Sequence, residues 1–203
     1  RPPRSTLFPY TTLVRSGIDL FPFKLSSELN SDLNSDLSPG PAASDIIRHG
    51  EIVSYQLTPF GSNYTFVVKI DLDGNESLAI YKPKEGEAPL WDFPSGTLYK
   101  REYAAYLLSE ILGWNIVPFT IIRDGPYGVG SVQQFIEHDP KQNYYTLEDG
   151  CADQLRVIAC FDLVANSTDR KANHLLMGDG GKIWSIRSEE HTSELQSSAY
   201  LVC

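Results

Sequence analysis

The chain has 203 residues, 41% apolar and 21% charged, with a formal net charge of −9. That length can bury one substantial core, and the balance is that of a globular domain. No apolar run is long enough to span a bilayer, and an acidic surface argues against nucleic acid or anionic membrane as a main partner.

The two ends read differently from the middle. Residues 1–16, RPPRSTLFPYTTLVRS, resemble one reading frame of a sequencing-library adapter, with Val14 where that frame has Phe. Residues 187–203 open with RSEEHTSELQS, which resembles a frame of the opposite adapter. A natural Ser/Thr-rich tail is the alternative. Both ends are expected to be adapter-derived artefacts and are set aside from fold reasoning. The remainder holds 13 basic and 23 acidic side chains, a balance of −10. Its two cysteines, Cys151 and Cys160, lack metal-ligand spacing. The expectation is a reduced, cytoplasmic protein with buried thiols.

Residues 17–44 contain SSELNSDLNSDLSPGPAAS. This composition buries too little apolar area to offset its ordering entropy, so a disordered arm is expected, with order starting near Ile46. Residues 51–57, 64–70 and 76–82 are rich in β-branched and aromatic residues and are separated by turn residues. They predict an antiparallel meander. A loop over 84–97 carries Trp91, Asp92, Phe93 and Pro94, whose aromatics either pack the loop down or shape an acceptor site. Residues 98–112 predict a helix, with Tyr103, Tyr106, Leu107 and Ile111 as its apolar face and Gly113 as its stop. Two strands follow at 119–123 and 131–136, around the turn DGPYGVG. Residues 151–166 predict a second helix whose apolar face is Leu155, Ile158, Ala159, Leu163 and Val164. A hairpin of 175–177 and 182–186 closes the sequence, and Trp114 and Trp184 read as core.

The residues at the joints suggest phosphoryl transfer. That chemistry needs a cover over phosphates, a cation, metal ligands and a group that positions the nucleophile. Gly61, Ser62 and Asn63 between the first two strands suit a cover, because small residues let backbone N–H groups approach phosphate oxygens. Hairpins use the same residues. Lys82 ends the third strand, and Glu102 in the helix is its expected partner; two solvated surface charges is the competing reading. Phe135, Ile136 and Glu137 form the hinge expected to hold an adenine ring. In NSTDRKANH, Asp169 suits the role of proton acceptor, and Asn173 or His174 that of a Mg²⁺ ligand, His174 being the poorer because Mg²⁺ prefers oxygen. The alternative is a polar turn whose aspartate caps backbone amides.

These segments carry a resemblance. GSNYTFVVK, AIYKPKEGEAPLWDFPSGTL, KREYAAYLLSEILGW, VPFTIIRDGPYGVGSVQQFIEHD and FDLVANSTDRKANHLL resemble the phosphatidylinositol 3-/4-kinase-like family. They are most similar to type II phosphatidylinositol 4-kinases and a related uncharacterised bacterial family. The resemblance implies an α+β, protein-kinase-like fold binding ATP and Mg²⁺. Its N-lobe and hinge would occupy 45–138, and a truncated C-lobe with the catalytic loop 139–186. It implies Lys82 on the phosphates, Glu102 as its partner and Asp169 as the catalytic aspartate. Type II lipid kinases have asparagine where His174 stands, whereas the bacterial relatives have histidine. After Ile186 the family continues with a metal-binding aspartate, where this chain has Arg187.

The expected parent is therefore an ATP-dependent kinase acting on a hydroxyl of a protein or small molecule rather than a lipid, since no lipidation motif or basic amphipathic segment is present. The fragment itself is expected to be inactive, with an exposed apolar patch on its second helix. The alternative is a nucleotide-binding, pseudokinase-like module without transfer activity.

Overall fold

The computed structural model describes residues 40–58, 63–88, 94–139, 142–147, 149–167 and 170–186. The adapter-like ends and most of the expected arm lie outside them. The described chain is mixed α and β. It is built on a five-stranded antiparallel sheet and a two-stranded hairpin, with three α-helices.

The first element was not expected. Helix α1, Ala43–His49, begins inside the segment read as arm. It has no side-chain cap at its N-terminus, and its place is set by tertiary contacts. Ile46 and Ile47 are buried against the sheet. The Arg123 guanidinium donates to the carbonyls of Ile47, at 2.7 Å, and Gly50, at 2.9 Å. Those carbonyls belong to the helix end and would otherwise lack donors.

Strands β1 (Glu51–Leu57), β2 (Phe66–Leu72) and β3 (Asn75–Pro83) form the expected meander. Helix α2, Leu98–Ile111, follows. Strands β4 (Thr120–Gly125) and β5 (Gly128–Gln134) make the next hairpin. β5 then inserts beside β3, so the sheet runs β1-β2-β3-β5-β4. Gly130 allows that close pairing: a side chain there would sit 2.3 Å from the Lys82 carbonyl.

Register gives the sheet two unlike faces. Phe66, Val68, Ile70, Ala79, Tyr81, Ile121 and Val132 share one face with α1 and form the first core. Val67, Ile80, Lys82, Ser131 and Gln133 share the other face, where Val67, Ile80 and Lys82 are only half-buried. α2 packs near β4 and β5. Helix α3, Ala152–Val164, and the hairpin β6 (Leu175–Met177) and β7 (Ile183–Ser185) build a second core. Ala105, Ile116, Val117, Ile158, Phe161, Leu175 and Ile183 belong to it.

Both expected helix faces need correction. On α2 the buried stripe is Leu98, Glu102, Ala105 and Ser109, while Ile111 is 81% exposed. Ser109 turns inward because its hydroxyl accepts from the N–H groups of Ile116 and Val117, at 2.9 and 3.2 Å. On α3, Ile158 and Phe161 are buried, but Leu163 and Val164 are exposed. Cys151 is buried as expected and Cys160 is exposed. Trp114 and Trp184, read as core, are half-buried. Trp114 packs against the second core, and Trp184 carries the Lys182 ammonium 3.5 Å above its ring. No described helix is long and apolar enough to cross a membrane.

Tyr81 ties the first core to the β4–β5 turn. Its hydroxyl donates to the Gly128 carbonyl at 2.6 Å and accepts from the Tyr127 N–H at 3.3 Å. Burial, the largest cause, pushes this phenol above its usual range. Tyr81→Phe should cost about 1–2 kcal/mol at neutral pH by leaving that carbonyl without its donor. Below the unfolded phenol's pKa of about 10 both states keep the proton; above it the unfolded chain ionises first, so stability falls as pH rises toward the folded value. Denaturant titrations at several pH values should give a shallower alkaline fall for Tyr81→Phe than for the wild type. Equal slopes would assign that fall to other groups.

Candidate functional site

The centre of the site is an ion pair between β3 and α2. The Lys82 ammonium contacts the Glu102 carboxylate, and their side chains are 16% and 4% exposed. The second Glu102 oxygen accepts from the Ser131 hydroxyl at 2.6 Å. Three elements therefore fix one carboxylate. Desolvating two opposite charges costs several kcal/mol per ion, offset only by good geometry and further hydrogen bonds. Such a pair is weak as a stabilising device, which directs attention to its chemistry.

Val67 and Ile80 lie on the Lys82 face, next to this pair in the pleat, and form a half-open apolar wall. Alternation in β2 and β3 contains that information, yet these residues were not singled out from the sequence. Ser131 had no sequence signal at all.

β5 runs into the expected hinge. The Phe135 N–H donates to the Leu78 carbonyl at 3.1 Å, and the Ile136 carbonyl meets His138 Nδ1 at 2.8 Å. Ile136 is buried and Glu137 exposed. The Phe135 N–H and the Ile136 carbonyl of this span are thus engaged within the chain.

The remaining expected site residues are divided. Gly61 and Ser62 lie outside the described residues, as do Asp169 and Trp91 to Phe93. Asn63 precedes β2, and its side-chain oxygen accepts from the Ala88 N–H. Asn173 is exposed. His174 is 3% exposed, and its Nδ1 accepts from the Lys171 N–H at 3.2 Å. A Mg²⁺ ion takes oxygen ligands in a near-octahedral set. Asn173 offers one amide oxygen and His174 none from its ring. Among the described residues no cluster of His, Cys, Asp or Glu could hold a metal ion. These two residues do not make a Mg²⁺ site by themselves.

Arg170, next to Asp169 in sequence, is a second fixed charge. Its Nε donates to Asp162 Oδ2 at 2.9 Å and one terminal nitrogen to Oδ1 at 2.5 Å. The other terminal nitrogen donates to the Ile186 carbonyl. The fork thus joins the loop after α3 both to that helix and to the end of β7. Ile186 in turn donates its N–H to the His174 carbonyl at 2.9 Å. Nothing in the sequence marks Arg170 for this role, because loop charges are usually solvated. A cavity of about 10 Å³, lined by Glu102, Gln133, Phe161, Arg170 and Ser185 among others, lies between the two fixed charges. It has room for about one water molecule.

No protein-family model matches the chain. It is similar to Protein Rv2133c of Mycobacterium tuberculosis, with 35% identity across 68% of this chain and 64% of that protein. The chain therefore spans slightly less than two thirds of the curated relative it matches. The relative's name gives no activity.

The Arg170–Asp162 pair makes a direct prediction. The two side chains are 16% and 14% exposed, so the penalty for breaking the pair is below that of a fully enclosed one. Asp162→Asn should cost about 2–3 kcal/mol by urea unfolding. Amide exchange at Ile186 should quicken in the same variant. A loss under about 0.5 kcal/mol, the range of an ordinary surface substitution, would remove the pair from the structural account.

Proposed function

We propose that this chain is the nucleotide-binding part of an ATP-dependent phosphotransferase with a kinase-like fold. The observation that carries the reading is the enclosed Lys82–Glu102 pair, backed by Ser131 and flanked by a half-open apolar wall. An adenine ring would lie against Val67 and Ile80, with its edge at the backbone of residues 135–137. Lys82, held by Glu102, would meet the phosphates. Phosphoryl transfer is catalysed largely by positioning and electrostatics, and a cation fixed beforehand needs no reorganisation when phosphate arrives. The strand order β1-β2-β3-β5-β4, with a helix between the third and fourth strands, supports the kinase-like fold.

The parent protein would transfer the terminal phosphate of ATP to a hydroxyl, with Asp169 as proton acceptor. A protein or small molecule is favoured over lipid as acceptor. The protein would act in the cytoplasm, with Mg·ATP as the form of the nucleotide. One second reading is a module that binds nucleotide without transferring phosphate, favoured by the imidazole of His174 where Mg²⁺ would prefer an oxygen ligand.

Isothermal titration of the chain with ATP and with adenosine tests the reading. Both should bind the wild type. Lys82→Met should weaken ATP about tenfold or more, equivalent to about 1.4 kcal/mol, while adenosine affinity stays unchanged. Because this variant leaves Glu102 enclosed without its cation, Lys82→Met/Glu102→Gln should show the same ATP defect at higher thermal stability. A wild-type chain that binds neither ligand, or a double variant that binds ATP as well as the wild type, would overturn the proposal. A phosphate-transfer assay on a full-length relative then separates the transferring from the binding-only reading.

A further inference from the structure

The loop between β3 and α2 holds a side chain assigned no role so far. Glu87 lies just past the single 3₁₀ turn Lys84–Gly86 that follows β3. Its Oε1 accepts from the Tyr99 N–H at 2.8 Å. Tyr99 is in the first turn of α2, where N–H groups have no partner within the helix. The helix does not supply that partner itself: Thr97 makes no capping bond from its side chain, and the first turn has no acidic residue. A carboxylate from outside the helix thus does what a local cap would do, at the positive end of the helix dipole.

The loop that presents Glu87 is held on its other side. The Tyr64 N–H donates to the Gly86 carbonyl at 3.0 Å, and the Ala88 N–H donates to the Asn63 side chain. Gly86 has no room for a side chain, since a Cβ would lie 2.6 Å from that of Tyr64. A run of hydrogen bonds therefore leads from Asn63 and Tyr64 through residues 86–88 to Tyr99. Glu102 is three residues beyond Tyr99, on the same helix.

We propose that Glu87 is a positioning residue that sets the place of α2, and so holds Glu102 on Lys82, while Asn63 anchors the loop that presents it. The far half of α2 is held by Ser109, whose hydroxyl receives the amides of Ile116 and Val117, and by Ala105, Tyr106 and Leu108 against the second core. At its start Leu98 and Tyr99 are buried, and the Glu87 bond to the Tyr99 N–H adds to that packing a directional contact at the helix end. The second Glu87 oxygen is enclosed without a hydrogen-bond partner among the described residues. Leaving a buried acceptor unsatisfied is costly, so stability alone is a poor reason for a carboxylate here. The consequence for phosphate binding rests on the nucleotide reading above.

The test compares Glu87→Gln, which keeps an acceptor at the same reach, with Glu87→Asp, which keeps the charge but is too short. The first readout needs no nucleotide. It is the rate at which acetic anhydride labels Lys82, measured by mass spectrometry relative to Lys69, whose 2.7 Å pair with Glu76 lies on β2 and β3. The second is affinity for ATP against adenosine. Glu87→Asp should raise the Lys82/Lys69 labelling ratio several-fold and weaken ATP about tenfold with adenosine unchanged. Glu87→Gln should stay near wild type in both. The proposal is overturned if the labelling ratio is unchanged in Glu87→Asp, if Glu87→Gln is the defective variant, or if ATP and adenosine weaken together. Should the labelling follow expectation while the wild type binds no nucleotide, the positioning role stands and the nucleotide reading fails.

Discussion

A buried carboxylate that must meet a lysine on one strand and a serine on another restricts most of what surrounds it. Glu102 does this from α2. For it to reach both partners, β3 and β5 must be adjacent, which requires β5 to insert between β3 and β4 rather than continue the meander. The helix must also turn a charged residue inward. The buried stripe of α2 is consequently part polar, and its best apolar candidates face outward. In an ordinary amphipathic helix burial follows hydrophobicity. Here the cost of an unpaired buried charge outranks the gain from covering Ile111, because the former is several kcal/mol and the latter at most about 3 kcal/mol.

The same logic recurs at the other joints. Arg123 satisfies the end of α1, Ser109 receives the two amides before β4, and Arg170 connects α3 to the end of β7. Each is a single polar side chain that bonds to backbone where regular structure stops. Chain ends and helix termini leave donors and acceptors without partners, and these must be supplied wherever the ends are enclosed. Such residues look like ordinary surface polars in a sequence. Nothing local distinguishes Arg123 or Arg170 from a solvated arginine.

This explains which parts of the molecule were legible. The strands stood out because β-branched and aromatic runs between turn residues carry their own signal, and β1 to β3 lie close to where residues 51–82 placed them. The two long helices were legible in extent but not in orientation, since Leu163 and Ile111 look like core and are not. Helix α1 was missed because a seven-residue helix has little propensity of its own and depends on Ile46, Ile47 and Arg123 meeting the sheet. Of the site, the pairing partners Lys82 and Glu102 could be named from their places in the order of elements and from the family resemblance. Ser131, Glu87 and Arg170 could not, because their roles exist only once distant strands and loops are brought together.

The two faces of the sheet link this architecture to the proposed chemistry. The face under α1 is closed. Tyr81 is locked to the β4–β5 turn, and Phe66 stacks on Tyr127 at a centroid distance of 4.8 Å, with Tyr55 edge-on to both. Close-packed interiors deform little, so that face gives the strands a rigid backing. The opposite face keeps Val67 and Ile80 half-open beside a cation that is already held. In the proposed reading a flat apolar ligand with an anionic tail would suit that combination: the ring would cover exposed apolar area, and the tail would meet a charge whose ordering cost was met during folding. A closely packed face and a half-buried one are thus consequences of the same alternation, with successive residues of β2 and β3 turned to opposite sides of the sheet.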